Sequence, residues 1–307
     1  MSLLVVGSIA YDTIETPFGQ VEDAPGGAAA HFASAASFFA PVMMVGVVGE
    51  DYDIEILSFL KGRGTDLSGV TRAKGKTFRW KGRYGYNLNE AETLDTQLGV
   101  FADFKPELPR LYRDAPYVFL ANIHPALQLD VLKQVENPKF VAMDTMNFWI
   151  QGERAALEKT LAAVDMVVIN EGEARQLSGE YNLIRAAQAI LSYGPTRLIV
   201  KRGEYGALLF TTDHVFAAPA YPLESVFDPT GAGDSFAGGV MGHVARTGDL
   251  SNGSLRQAIV LGSVMASFHV EDFSMDRNKR LKAPEIRARF RAFHALTRFE
   301  DLPVGTE

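Results

Sequence analysis

The chain has 307 residues, of which 47% are hydrophobic and 22% charged, so it is long enough to build a large core in one domain or two. A net charge of −7 excludes a basic face for nucleic-acid phosphates, and the absence of cysteine excludes disulfides, a thiol nucleophile and zinc sites built on sulfur. The opening MSLLVVGSIA is too short to cross a bilayer and lacks basic residues, so we expect a cytoplasmic protein with no signal peptide and no membrane partner.

Short apolar runs alternate with helical patterns along the chain. Six runs predict buried strands, at residues 3–9, 42–48, 117–123, 140–146, 166–170 and 197–201. Apolar residues at helical spacing predict helices at 27–39, 52–61, 127–135, 154–163, 233–246, 255–270 and 283–297. This alternation predicts one α/β domain over residues 1–307, built around a mostly parallel sheet.

Residues 76–87, KTFRWKGRYGYN, break this rhythm because their side chains alternate strictly. The aromatic residues share one face: Phe78, Trp80, Tyr84 and Tyr86. The basic residues share the other: Arg79, Lys81 and Arg83. The pattern predicts a half-buried antiparallel strand. Together with an extended segment near residues 11–21, it predicts a small lid sheet over the strand ends, formed by about residues 10–22 and 76–100.

The two faces of this strand each allow two interpretations. An aromatic ring such as Trp80 belongs either to the lid core or to a surface that stacks on a purine or a sugar. The basic side chains form either a solvated face, which we favour, or a charge clamp that reaches the site.

Several predicted strands end in a polar residue or a glycine: Gly7, Asn122, Asp144, Asn170 and Lys201. In open α/β sheets, ligands bind outside the carboxyl ends of the strands, so these residues outline a candidate site. Asn147, just beyond Asp144, either lines this cleft or belongs to a structural turn.

The stretch DPTGAGDSFAGG, residues 228–239, predicts an unusual helix start. Thr230 is the predicted N-cap, and Gly231, Ala232 and Gly233 lead into a helix beginning near Asp234. Unpaired N–H groups and the helix dipole bind phosphate there, and Asp234 then suits a base that accepts a proton from an attacking hydroxyl. Alternatively, Asp234 is an ordinary first-turn acid, and the glycines serve close packing.

Residues 228–239 resemble the ATP-site signature of the ribokinase-like (PfkB) carbohydrate and nucleoside kinase family. Further motifs follow in that family's order over essentially the whole chain: GSIAYD at 7–12, PGGAAAHFASAA at 25–36, VGVVGEDY at 45–52, NEGE at 170–173 and KRGEYG at 201–206. The resemblance implies a three-layer α/β sandwich with a β-sheet lid, and transfer of the γ-phosphate of ATP to an alcohol.

The resemblance also implies a role for each matching position. Asp234 would be the catalytic base, with an anion hole formed by the backbone of Gly231, Ala232 and Gly233. Residues on the ATP side would be Asn170, Glu173, Lys201, Gly203, Gly206, Asp228 and Thr230. Residues on the acceptor side would be Asp12, Gly26, Gly27 and His31, to which our own interpretation adds Trp80 and Asn147.

Cofactors and partners follow from the same resemblance. Glu173 would organise Mg²⁺ through water, which suits an octahedral ion that keeps several waters. The helix at 255–270 and the FHVEDF segment after it would border the adenine. A monovalent cation is a further candidate cofactor, and pairing of two lid sheets would give a homodimer.

Two positions depart from the family pattern. His31 stands where an asparagine commonly touches substrate hydroxyls, and Lys201 stands where ribokinases often have threonine. The aromatic strand, His31 and the lack of a basic cluster near Asp144 favour a nucleoside acceptor, with a free sugar as the alternative. A kinase fold retained as a sensor without turnover is the second class of function.

Other nucleotide motifs fail on spacing. A Walker A motif ending in KGKT at 74–77 needs glycine at position 70, which is Val70. A dinucleotide fingerprint starting at Gly231 needs glycine at position 236, which is Phe236. We therefore expect neither a P-loop enzyme nor an oxidoreductase.

Overall fold

A nine-stranded sheet forms the centre of the structure, a computed structural model that describes residues 1–300. The strands in chain order are β1 (Leu3–Val6), β2 (Ala10–Thr16), β3 (Gly19–Gly26), β4 (Val42–Val48), β5 (Asp66–Arg72), β6 (Phe78–Tyr84), β7 (Ala91–Gln97), β8 (Tyr117–Leu120), β9 (Phe140–Met143), β10 (Met166–Asn170), β11 (Arg197–Lys201), β12 (Ala207–Thr211) and β13 (Val215–Ala218). The central sheet has the order β13-β12-β11-β10-β9-β8-β1-β4-β5. It is parallel from β5 to β11, and β12 and β13 add antiparallel pairs at one edge.

Helices cover both faces of this sheet. In chain order they are α1 (Ala28–Ala36), α2 (Ser58–Lys61), α3 (Pro125–Leu132), α4 (Asn147–Gly152), α5 (Arg154–Leu161), α6 (Glu171–Ser178), α7 (Leu183–Leu191), α8 (Ala232–Thr247), α9 (Asn252–His269), α10 (Asp276–Arg280) and α11 (Ala283–Thr297). One face packs against α1, α8 and α9, and the other against α3, α5, α6 and α7. Within residues 1–300, no helix is both long and apolar enough to cross a membrane.

Successive side chains of the central strands enter opposite cores. Val5 and Phe119 pack with α1, α8 and α9, whereas their neighbours Val6 and Leu120 pack on the other face. Because both faces are buried, these strands are continuously apolar, which is why all six predicted core strands are confirmed. The three strands missed by the sequence pattern, β5, β12 and β13, lie at the edges of the sheet and have partly exposed residues.

A separate four-stranded sheet, in the order β3-β2-β6-β7, is the predicted lid. Its strands span residues 10–26 and 78–97, against the predicted 10–22 and 76–100. Strand β6 is antiparallel to β7 but parallel to β2, so the prediction of an antiparallel strand is right for only one neighbour. Tyr86, predicted on the aromatic face, lies beyond the end of β6 and is 91% exposed.

The basic face of β6 is paired within the lid and at its base. Arg79 forms ion pairs with Asp23 and Asp51, at 2.6 and 2.9 Å. Both Lys81 and Arg83 reach Glu15 on the neighbouring strand, at 3.4 and 2.8 Å. These contacts agree with a partly solvated face and leave no role for a charge clamp.

Glycines inside α8 allow close helix packing. A Cβ added to Gly238 would collide with the carbonyl oxygen of Phe32 in α1, and one added to Gly239 would lie 2.8 Å from the carbonyl oxygen of Leu261 in α9. The packing role considered for the glycines of residues 228–239 therefore applies to the last two of that stretch.

We expect Gly238→Ala to destabilise the protein by about 1–3 kcal/mol, because the methyl group forces α1 and α8 apart. The measurement is the midpoint of urea unfolding followed by circular dichroism. Gly152→Ala, at the open end of α4, is the control, since nothing lies within 4 Å of its added Cβ. Equal midpoints for the two variants would contradict the packing role.

Candidate active site

The turn before α8 is held in a left-handed conformation. The helix begins at Ala232, and its N-cap is Gly231 with φ 76°, a conformation that favours glycine. The prediction that Thr230 is the N-cap is wrong: no side chain caps the helix, and the Thr230 hydroxyl lies 3.2 Å from Tyr84 Oη of the lid. The Ala232 N–H donates to the Pro229 carbonyl, so it is engaged within the turn, unlike its predicted role in an anion hole.

Asp228 locks this turn to the loop after α9. Its side chain is fully buried, and its two oxygens accept 2.8 Å hydrogen bonds from the N–H groups of Thr230 and Ser274. Burial raises the pKa of the Asp228 carboxyl. Asp228 therefore has a structural role in this turn, and its contact with the nucleotide stays a prediction.

Asp234 lies half-buried in the first turn of α8. The pKa of its carboxyl is raised. Burial is the main cause and the charge of Asp12 adds to it, whereas the positive charges of His31 and Lys201 oppose the rise. Lys201 ends β11 beside this turn, where a Cβ added to Gly233 would lie 2.7 Å from its Nζ. The helix start thus combines a carboxylate suited to accept a proton with a neighbouring cation.

The acceptor-side residues converge on Asp12, which is 5% exposed. A Cβ added to Gly26 would collide with Asp12 Oδ2, so glycine is required there. His31 Nε2 lies 3.6 Å from the same oxygen. The parallel register of β2 and β6 pairs Asp12 with Trp80, so their side chains share one face of the lid.

Gly27 shapes the start of α1 rather than offering a side chain. Its φ is 93°, and a Cβ there would lie 2.5 Å from the Ser8 carbonyl oxygen. The Ser8 hydroxyl accepts a 3.0 Å hydrogen bond from the Ala28 N–H. The glycine pair therefore fixes α1 against the strand that carries the acceptor residues.

The Asn170–Glu173 pair forms a capping box at the start of α6. Asn170 Oδ1 accepts from the Glu173 N–H, and Glu173 Oε2 accepts from the Asn170 N–H, both at 2.8 Å. Burial raises the pKa of Glu173, and the charge of Lys201 opposes this. The capping box uses Glu173 Oε2, and the charge of Asp234 acts on the same carboxyl as that of Lys201.

Asp144 is an acidic residue of this group that the sequence placed at a strand end, as a cleft residue or part of a structural turn, without a chemical role. It follows β9, is 5% exposed, and its Oδ1 has no hydrogen-bond partner within residues 1–300. Burial raises its pKa well above the usual range, helped by the charge of Asp234 and opposed by Lys201. Its place at a strand end was the signal that pointed to it.

This donor set fits Mg²⁺ bound largely through phosphate and water. Among the described residues, no group of three or more His, Asp or Glu side chains is arranged to hold a metal ion. Mg²⁺ usually takes one or two carboxylates plus phosphates and keeps several waters. Glu173 and the unpartnered Asp144 Oδ1 are the oxygen ligands available for such an ion.

Gly203 and Gly206 form the tight turn between β11 and β12. Their φ angles are 56° and 91°, and a Cβ at Gly203 would collide with the side chain of Asn89. Asn89 belongs to the lid loop between β6 and β7, so the lid reaches the predicted nucleotide side. No sequence pattern indicated this contact.

Asn147 and the segment predicted to border the adenine have local roles in the structure. Asn147 is exposed at the first residue of α4, where its Oδ1 accepts the Phe148 N–H. His269, in the segment predicted to border the adenine, is fully buried and donates through Nε2 to the Thr230 carbonyl at 2.6 Å. His269 therefore supports the turn before α8.

The chain matches a known protein family over most of its length. The family model for pfkB family carbohydrate kinases matches residues 2–279. The chain belongs to the pfkB carbohydrate kinase family. It is therefore a phosphotransferase with an alcohol group as acceptor, which confirms the resemblance of its motifs.

Relatives of this pfkB protein include nucleoside, riboside and sugar kinases. A cytidine kinase from Thermococcus kodakarensis is 32% identical over 254 residues, which cover 80% of this chain and 89% of the relative. A nucleoside kinase from Burkholderia thailandensis, solved with inosine, has a TM-score of 0.78 at 21% identity and covers 95% of this chain and 99% of its own. An aminoimidazole riboside kinase from Salmonella enterica, solved with its riboside and an ATP analogue, has a TM-score of 0.75 at 18% identity and covers 94% of this chain and 100% of its own. The two structures confirm the ribokinase-like fold.

We expect Asp144→Asn to flatten the pH dependence of thermal stability. A carboxyl whose pKa is raised in the folded state stabilises the fold below its unfolded pKa of about 3.9, and this contribution is lost as pH rises through the folded pKa. The neutral amide removes that loss, so the melting temperature of the variant should exceed that of the wild type most strongly near pH 8.

The measurement is the melting temperature between pH 5 and pH 8, by differential scanning fluorimetry. Asp130→Asn, at an exposed position of α3, is the matched control and should run parallel to the wild type. Parallel curves for Asp144→Asn and the wild type would show that this carboxyl does not destabilise the folded state.

Proposed function

We propose that this pfkB kinase transfers the γ-phosphate of ATP to the primary hydroxyl of a nucleoside. The observation that carries the proposal is the position of Asp234, which is half-buried at an uncapped helix start between the acceptor-side carboxylate and Lys201. A helix start of this kind favours anions, and a base beside it is in reach of a bound hydroxyl.

The proposed reaction assigns one task to each group. Asp12 accepts hydrogen bonds from ribose hydroxyls, and Asp234 takes the proton of the primary hydroxyl. The hydroxyl oxygen bonds to the γ-phosphorus as the bond from that phosphorus to the β-bridging oxygen breaks, and ADP leaves. The N–H groups of Gly231 and Gly233 and the ammonium of Lys201 offset charge on the transferring phosphoryl group. Mg²⁺, organised by Glu173, would neutralise charge on the phosphates.

Three observations favour a nucleoside as the acceptor. Trp80 shares a lid face with Asp12, which gives an aromatic surface over the predicted ribose site. His31 brings an imidazole to a position where a sugar-type asparagine is common. The relative with 32% identity over most of the chain is a cytidine kinase.

We expect Asp234→Asn to lower kcat by about 10²–10⁴-fold, because the amide cannot accept the hydroxyl proton. Binding of ATP, measured by isothermal titration calorimetry, should persist. In the wild type, kcat should fall as pH decreases through the raised pKa of this carboxyl, since only the ionised form is a base. Asp249→Asn, at an exposed position after α8, is the control, and full activity of Asp234→Asn would remove the base assignment.

We expect cytidine, uridine, adenosine or inosine to give higher kcat/KM than ribose or fructose in an ADP-release assay with ATP and Mg²⁺. Trp80→Ala should weaken nucleoside binding roughly tenfold, since stacking on a base contributes about 1–3 kcal/mol, and should change the KM for ATP less.

Parallel assays in K⁺ and Na⁺ test whether turnover depends on a monovalent cation.

Tyr86→Ala, at an exposed lid position, is the control for Trp80→Ala. A preference for ribose or fructose would identify a sugar kinase, and binding without ADP formation would identify a sensor. Equal losses for nucleoside and ATP would assign Trp80 to the lid core.

A further inference from the structure

The ring of His31 is buried without hydrogen bonds. It lies in α1 and is 2% exposed, and within residues 1–300 neither of its nitrogens has a hydrogen-bond partner. Leaving a buried polar atom unpaired costs about 1–3 kcal/mol. An unpaired buried ring therefore needs an explanation, such as an interaction with a ligand or with a nearby charge.

The charges of three carboxylates act on this ring. Asp12 Oδ2 of β2 lies 3.6 Å from His31 Nε2, and the charges of Asp234 in α8 and Asp228 before it also act on the imidazole. From α9, His269 meets the ring edge-on, with ring centroids 5.0 Å apart. Burial lowers the pKa of His269 to about 3, so this neighbour is neutral and adds no opposing charge at neutral pH.

The protonation of His31 follows from these neighbours. Burial alone lowers the pKa of an imidazole, but here the carboxylate of Asp12 at 3.6 Å, with the charges of Asp234 and Asp228, outweighs burial and raises the pKa above its usual value of 6.5. The effect is reciprocal, since the imidazolium lowers the pKa of Asp234.

The ring also touches the turn before α8. A Cβ added to Gly231 would collide with the His31 ring, so the imidazole lies directly against the left-handed residue of that turn. His31 therefore lies between the proposed acceptor carboxylate and the turn that leads into the helix of the proposed base. The asparagine common at this position in the family is neutral and cannot balance these charges.

We propose that His31 is a positioning residue that works as an imidazolium, holding Asp12 in place for the acceptor and keeping Asp234 ionised. This inference rests on the proposed kinase function. Turnover then requires a proton on His31 and none on Asp234, so kcat rises with pH as Asp234 ionises and falls again as His31 loses its proton.

The test is the pH profile of kcat for the wild type, His31→Asn and His31→Gln with the best acceptor of the panel. We expect both variants to lose the alkaline limb. Their acid limb should move to higher pH, because Asp234 loses a positive neighbour. A displacement of one pH unit corresponds to a tenfold loss of kcat on that limb. The KM for ATP should stay within about twofold of the wild type.

His243→Gln is the matched control, since His243 is a buried histidine of α8 that contacts Ser254. It should keep the wild-type profile. Profiles of His31→Asn and His31→Gln that keep both limbs at the wild-type pH would overturn the proposal, whatever their stability.

A second readout does not depend on activity. The nitrogen chemical shifts of His31, followed by NMR in the full-length protein without acceptor, report its titration directly. Asp12→Asn and Asp234→Asn should each lower the midpoint, and an unchanged midpoint in both would also overturn the proposal. If no acceptor of the panel is phosphorylated, the proposed function fails, while this titration still decides whether His31 is an imidazolium.

Discussion

The left-handed turn at Gly231 is the constraint on which the rest of the site depends. Asp228 holds the turn through two backbone N–H groups, and His269 holds it through the Thr230 carbonyl. Within residues 1–300 no side chain caps α8, and Asp234 lies in its first turn. A rigid, uncapped helix start is suited to phosphate because its donors are already oriented before the ligand binds.

Charge balance is the second feature of the site. Burial raises the pKa of Asp144, Glu173 and Asp234, and the cations that oppose this are few: Lys201 at the end of β11 and the imidazole of His31. Such a concentration of partly buried acids is costly for the fold, and it is typical of sites that bind cations and polyphosphates. The lid adds the carboxylate of Asp12 to this group, and it adds neutral contacts through Tyr84 and Asn89.

The hydrophobic pattern of the sequence was sufficient to predict the strands at the centre of the sheet, but not those at or near its edges. Strands β1, β4, β8, β9, β10 and β11 are buried on both faces, so their continuous apolar runs were recognisable. Strands β5 and β13 are the edge strands of the sheet and β12 is next to the edge, and all three have partly exposed residues. The N-cap assignment of Thr230 failed because Gly231 takes the N-cap position in a left-handed conformation. The Thr230 hydroxyl contacts Tyr84 Oη of the lid, and its N–H donates to Asp228.

The sequence by itself determined the α/β class, the lid and the order of motifs, because hydrophobic period and glycine spacing are local properties of the chain. It also identified Asp12, Asp234 and the Asn170–Glu173 pair by resemblance. Only the tertiary structure decided which side chains meet. Asp228 bonds Ser274 at a separation of 46 residues, and His31 reaches both Asp12 of the lid and the turn before α8. Such contacts depend on how layers pack, and the burial that they create sets the protonation of the site, which no local pattern encodes.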